Sequence, residues 1–384
     1  MNTHKAVAAA CLLGAPTPAH AGLGLIDLLP GYTLGELQGL SADGTTLAVD
    51  MLVSESIRYD AYAWRDGQWS SLPRVDRFNL WQGISADGSV TLSVSSQWGA
   101  RPRLIRVEDG VREHITFGTD DRELNAAITR DGQTVFYTMG GQASGPVDVL
   151  TYAAGSGRAD LVATLDERYD RVIDVIAGDR DDLFVINSAV RPAGVGFPGT
   201  ERALLYDDGR IFEIPTLSDD AGASTWASDM TADGSVIVGV ETRIDLDTYS
   251  TTSKSWIYQD NRLRELVVDG LTDTSISSIT DDATAMIVSG RSQTDGSYSS
   301  FLLYEGGRRV SAAELLAAEG LVLGMHDTAV LNDISGNGLV VSGVISSGVV
   351  TPFGPELTLF TINVPAPPSG LALVLMGYAG RRRR

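Results

Sequence analysis

The sequence of 384 residues is poor in cysteine, histidine and positive charge. Cys11 is its one cysteine, so no internal disulfide and no multi-cysteine zinc site can form. Four histidines leave little material for imidazole bases or His-ligated metals. The 29 Lys and Arg face 49 Asp and Glu, a formal net charge of −20. A phosphate backbone is bound through clustered Lys and Arg, so this balance argues against nucleic acid as a partner. Glycine, by contrast, is abundant: 42 residues, about 11% against a usual ~7%, which points to many tight turns. With 43% hydrophobic residues the chain can build a core and is not disordered as a whole.

The two ends read as addresses. At the N-terminus Lys5 supplies a small positive region, Ala6 to Leu13 an apolar run, and Ala19-His20-Ala21 an A-x-A cleavage site. This is the pattern of a secretory signal peptide, and residues 1–21 are assigned to it. A frayed or helical N-terminus is one alternative reading. The other is a lipoprotein built on Cys11 after Ala8-Ala9-Ala10, for which the preceding apolar run is too short. At the C-terminus a proline break (Pro365, Pro367, Pro368) precedes an apolar run and four arginines, Arg381, Arg382, Arg383 and Arg384. The order Pro-x-Pro, apolar run and Arg cluster over residues 364–384 resembles a PEP-CTERM sorting tail, with Ala366 where that signal usually has Glu. The resemblance implies an exosortase-type sorting peptidase as a partner and transient anchoring in the inner membrane of a Gram-negative bacterium. Its apolar segment, Gly370 to Gly380, is 11 residues, ~16 Å as a helix and about half of a ~30 Å hydrocarbon core. Residues 1–21 hold one Lys and residues 364–384 four Arg, with no acid in either. The body between them therefore carries −25, no cysteine, and only His114 and His326.

Within that body one phrase recurs. It reads Leu40-Ser41-Ala42-Asp43-Gly44, Ile84-Ser85-Ala86-Asp87-Gly88, Ile128-Thr129-Arg130-Asp131-Gly132 and Met230-Thr231-Ala232-Asp233-Gly234. Looser copies begin at Ile279 and Ile334, and a degenerate one at Ile176, so seven copies stand 44 to 55 residues apart. Each copy has one grammar: a strand, the Asp-Gly turn, a β-branched strand, a loop, a third strand, a second tight turn and a fourth strand. In the turn Gly takes positive φ without penalty, and Asp accepts backbone N–H bonds. The second hairpin repeats as well, as in Trp64-Arg65-Asp66-Gly67-Gln68-Trp69 and Leu205-Tyr206-Asp207-Asp208-Gly209-Arg210. Seven repeats of four strands predict an all-β, seven-bladed β-propeller over residues 22–363. A flat β-solenoid is the structural rival. The seventh copy lacks a fourth strand, and Gly24 to Leu29 fits that place, which predicts closure by pairing of the chain's two ends. Ser311-Ala312-Ala313-Glu314 is a capping box that predicts a short helix between blades six and seven.

Thr231 to Gly239 and the aromatic-rich strand that follows resemble the HAF-type extracellular repeat, as does Val322-Leu323-Gly324-Met325 its linker. The resemblance covers Leu40 to Phe360. It implies an exported bacterial propeller and brings no catalytic set with it.

Chemistry is scarce. A Ser-His-Asp arrangement would need His114, on an apparent fourth strand, or His326, in a linker, and each reads first as a surface or turn residue. No G-x-S-x-G elbow, spaced His pair or phosphate loop is present. The Ser-x-Asp-Gly turns differ from the sialidase Asp-box, since Asp and Gly are adjacent and the aromatic is missing. Asp245 and Asp247 in one loop, with Asp219-Asp220, are the calcium candidates on charge alone, without EF-hand spacing. No catalytic residue or other cofactor is assigned. The loops at Asn187 to Arg202 and Thr242 to Lys254 read as the longest and most variable, and their face as the binding surface, with Trp98 and Tyr249 as loop aromatics. The resulting expectation is an exported non-catalytic module of the cell envelope or extracellular matrix. Its expected partners are the secretion machinery, the sorting peptidase and extracellular polysaccharide. The rival is a polysaccharide hydrolase or lyase with carboxylates near the propeller axis.

Overall fold

The computed structural model describes residues 23–53, 58–72, 78–96, 102–115, 124–139, 146–190, 200–218, 222–245, 248, 250–351 and 354–364. Ala19, Ala21, Cys11, Trp98, Asp219, Asp220, Asp247 and Tyr249 lie outside them, as do Pro365, Pro367, Pro368 and Arg381 to Arg384.

Seven four-stranded antiparallel sheets form a seven-bladed β-propeller. Blade one is Tyr32–Leu40, Thr46–Val53, Tyr59–Arg65 and Gln68–Ser71. The inner strands of blades two to seven are Phe78–Ile84, Leu124–Ile128, Tyr169–Ala177, Ala223–Met230, Leu271–Ile279 and Thr328–Ile334. Each runs into a copy of the repeated phrase. Blade seven takes its third strand from Gly354–Asn363 and its fourth from Leu23–Ile26, with Leu23 opposite Ile362 and Ile26 opposite Leu359. Both ends of the described chain thus sit in one sheet, and the closing strand is the expected N-terminal one. The helix Ala312–Ala318 lies between blades six and seven, where Ser311 accepts from Glu314 N and the Glu314 side chain accepts from Ser311 N.

The turns explain the recurring phrase. In the first copy Ser41 Oγ donates to Asp43 Oδ1 (2.7 Å), Thr45 N donates to the same oxygen (2.9 Å), and Thr46 N donates to Ser41 Oγ (2.9 Å). The same pattern recurs at Asp87, Asp131, Asp233 and Asp282, and at Asn337 in the last copy. The Ser89 N–H, with the Ser89 and Ser85 hydroxyls, holds the Asp87 carboxyl below its usual range. In the second hairpins of blades one, two, four and five both turn residues take positive φ, for example Asp66 at 51° and Gly67 at 77°, which is the type I′ pattern.

The same turns join the blades. Asp43 N donates to Ala86 O, Ala86 N to Arg130 O, Arg130 N to Gly178 O, and Asp179 N to Ala232 O. Beyond blade five, Asp281 N donates to Gly336 O and Asn337 N to Ala42 O. At the seam between blades five and six a side chain makes the link, as Ile279 N donates to Asp229 Oδ2 (2.9 Å). The turn glycine permits this approach. A Cβ on Gly132 (φ +73°) would lie 2.6 Å from Val90 Cγ2 of the preceding blade.

Apolar side chains gather at each of the seven blade interfaces. Between blades three and four, for instance, the rings of Phe136 and Phe184 stack at 4.3 Å and those of Phe184 and Tyr206 at 4.5 Å. One expected feature is corrected. The stretches at Asn187 to Arg202 and Thr242 to Lys254 are not wholly loops. Strands Leu183–Val190 and Glu201–Asp207 occupy the ends of the first, and Val236–Ile244 and Thr251–Gln259 extend into the second. The Thr- and Asp-rich arm pairs Ile244 with Thr251 in water, and its polar residues resemble a loop in sequence.

Gly67 and Gly132 separate backbone conformation from packing, since nothing lies within 4 Å of a Cβ on Gly67. Gly67→Ala is expected to cost about 1 kcal/mol from positive φ alone. Gly132→Ala should cost roughly 2–4 kcal/mol, because overpacking adds to the backbone term. Urea unfolding midpoints measure the difference, and equal losses would contradict the interblade role of the turn glycine.

Candidate functional site

Inner strands bring side chains from seven repeats to one axis. Six of the seven carry a β-bulge shortly before the phrase, with Gln38, Gln82, Ile173, Ser228, Ser277 and Asn332 as the extra residues; blade three pairs without one. A bulge re-aims the side chains around it, here toward the axial passage.

The passage is wide toward the loop face and narrow toward the turn face. The wide part, about 810 Å³, is lined among others by Glu36, Asp50, Tyr59, Trp81, Asp174 and Trp226. A middle part of about 320 Å³ holds Gln38, Ser228, Asp229, Ser277, Asn332 and Asp333. The last part, about 140 Å³, is bounded by residues from all seven blades, Arg130 and Gly336 among them. Here the Arg130 guanidinium donates to the Asp281 carboxylate, and a second nitrogen approaches Met230 O at 3.4 Å. A residue of blade three is thereby strapped to one of blade six across the axis. Gly336 makes room for the strap, because a Cβ there would collide with the Asp281 carboxylate.

The wide part contains an acid pair held by an amide. Gln38 Nε2 donates to Glu36 Oε2 (3.0 Å) and to Asp50 Oδ2 (2.9 Å), and Trp81 N donates to Asp50 Oδ1 (3.2 Å). Asp50 is buried, at 2% exposure, while Glu36 is open to solvent. Burial pushes the Asp50 carboxyl up to about 7, against the Trp81 and Gln38 bonds, and Glu36 adds to the rise. Asp174 is raised to about 6, first by burial, with Glu36 again contributing and an Asn187 bond opposing.

Asp229 and Asp333 stand deeper. Asp229 accepts from Met230 N (2.7 Å) and Ile279 N (2.9 Å). Asp333 accepts from Ile334 N (2.8 Å) and from Leu40 N of blade one (2.5 Å). Ser278 Oγ lies between the two carboxylates. Ile279 N and Leu40 N thus tie one oxygen of each carboxylate to the next blade.

Of the residues singled out in the sequence, the described ones are not brought to this axis. His114 lies on the outer strand Val111–Ile115 of blade two, and His326 is exposed in the turn before blade seven. Asp245 caps its own loop, accepting from Thr248 N at 3.3 Å. Among the described residues no group of three or more His, Cys, Asp or Glu is arranged to hold a metal ion, and no helix is long and apolar enough to cross a membrane. The axial residues carried a signal that sequence reading missed. Arg130 and Asp281 replace the Ala of Ser-Ala-Asp-Gly, and Asp229 and Asp333 immediately precede the phrase where other copies have Gly39, Gly83 or Ala127.

The sequence matches no protein-family model and no curated protein. Among solved structures, the fold is similar to an oligogalacturonate lyase in complex with manganese, at 12% identity and a TM-score of 0.53, covering 87% of this chain and 90% of that one. It is also similar to the β-propeller domain of the trilobed protease from Pyrococcus furiosus (11%, TM-score 0.53, 87% and 94% covered). A third is hydrazine synthase from Kuenenia stuttgartiensis (15%, TM-score 0.52, 88% and 99% covered). At such identities the likeness extends to the propeller fold alone.

Asp50 makes stability depend on pH. Its folded pKa lies above its unfolded one, so its contribution is fully present below about pH 4 and is lost as pH rises through about 7. Asp50→Asn should flatten the unfolding free energy between these limits, measured by urea titration at stepped pH. An unchanged slope would contradict the assignment.

Proposed function

We propose that the chain is an exported, non-catalytic propeller of the bacterial cell envelope or extracellular matrix, acting as a binding module. The observation that carries this reading is the axial cavity, open at the loop face and strapped at the turn face by Arg130 and Asp281. A wide end lined by carboxylates, amides and the rings of Tyr59 and Trp226 suits a hydroxyl-rich ligand. An uncharged extracellular polysaccharide meets that description, and the body's charge of −25 repels anionic polymers that lack bridging divalent cations. The deep carboxylates support a non-catalytic role, because Asp229 and Asp333 are engaged by backbone N–H groups of neighbouring blades. The A-x-A site at Ala19 and Ala21 and the Pro–apolar–Arg tail support export followed by sorting from the inner membrane.

Purified secreted protein screened on a glycan array should bind neutral polysaccharide, with Trp226→Ala about tenfold weaker. Binding to none of the neutral polysaccharides would remove the reading. One observation favours a second reading: a buried Asp50 raised to about 7 beside an open Glu36 is the kind of pair that polysaccharide hydrolysis or elimination employs. New chain ends released from a bound polysaccharide, and absent with Asp50→Asn, would replace binding by catalysis. Mass spectrometry of the secreted protein tests sorting separately. The tail arginines are expected to be gone, and a retained Arg384 would contradict the sorting assignment.

A further inference from the structure

Ser278 has one hydroxyl proton and two carboxylates beside it. Its Oγ is 2.5 Å from Asp333 Oδ1 and 3.0 Å from Asp229 Oδ2. One hydroxyl can donate to one of them, so the other oxygen–oxygen contact needs a proton of its own. The backbone cannot supply it: Met230 and Ile279 N–H already donate to Asp229, and Ile334 and Leu40 N–H to Asp333. At 2.5 Å the shorter contact cannot stand between two oxygens without a proton between them.

We infer that Asp229, Ser278 and Asp333 share one proton, seated on Asp333 Oδ1, and that this proton locks the seam where the ring closes. The protonated Asp333 donates to Ser278 Oγ, and Ser278 donates to the Asp229 carboxylate. The chain of bonds passes from blade five through blade six to blade seven, and Asp333 continues it to Leu40 of blade one. Loss of the proton to solvent leaves two carboxylates on one hydroxyl, and like charges oppose each other across the seam.

The surrounding charges favour this arrangement. Arg130, from the blade-three turn, favours the charged form of Asp229, although burial leaves that carboxyl raised overall. Burial, then the Asp229 charge, push Asp333 up to about 6. Asp281, on the blade-six turn, is taken up by Arg130. The other residues around this part of the passage are neutral: Leu37 and Gln38 from blade one, Ser228 from blade five, Ser277 from blade six and Asn332 from blade seven. Glu36, Asp50 and Asp174 belong to the wide part of the passage.

The closure is therefore tighter in acid than in neutral solution, independently of what the cavity binds. The test uses the full chain. Carboxyl carbon NMR should show the Asp333 resonance titrating about two pH units above an ordinary aspartate. The unfolding constant of the wild type should rise between pH 4 and pH 7 by on the order of 100-fold more than that of Asp333→Asn. An Asp333 resonance titrating near pH 4, the ordinary value, or equally steep profiles for the two proteins, would overturn the inference. If Asp333→Asn does not fold, the wild-type NMR titration decides alone.

Discussion

Everything in this propeller hangs on one turn and the bonds it makes outward. The turn's Asp accepts the next N–H but one and the Ser hydroxyl, so the turn's geometry is fixed by bonds within the phrase itself. Its remaining N–H and C=O groups then face the adjacent blade and pair there, from Asp43 to Ala86 and on around the turn face. A backbone that must both turn sharply and touch its neighbour favours a residue without a side chain at the contact, which is why five copies of the phrase end in Gly, while Ala283 holds the same positive φ in the sixth. With the turns joined, the inner strands converge and the apolar faces of successive blades meet in seven separate clusters rather than one core.

A regular ring of this kind has no site of its own. The site comes from departures from the repeat. Arg130 and Asp281 replace the common Ala in copies three and six, and the seventh copy has Gly336 where a Cβ would collide with Asp281. Three separate deviations thus make one strap across the axis. Asp229 and Asp333 are a second set, and they spend their oxygens on neighbouring backbone. Buried carboxylates with such partners act as fasteners, and their raised pKa values follow from burial. Asp50 differs, because its neighbour Glu36 faces open solvent in the wide part of the passage. Position along one axis separates structural acids from those available to a ligand.

Much of the architecture was legible in the residues. The Ser-x-Asp-Gly phrase, the Asp-Gly second turns and the Ser311–Glu314 capping box are bonded within about five residues of themselves, so their chemistry is local. The missing fourth strand of the last copy also announced the pairing of Leu23–Ile26 with Gly354–Asn363. The polar hairpin arm ending at Ile244 was misread, because exposed strand and loop share a composition.

The axial site was legible only as irregularities without a purpose. Arg130 meets Asp281 across 151 residues of chain, Ser278 meets Asp333 across 55, and Leu40 meets Asp333 across 293. Such contacts arise from closure of the ring, which superposes equivalent positions of distant repeats. The number of blades, their turns and the strand that closes them were determined by the sequence itself, because each depends on neighbours along the chain. Which deviant residues face one another was decided by the tertiary structure, because a bulge of one residue and the curvature of the closed ring set where each side chain points.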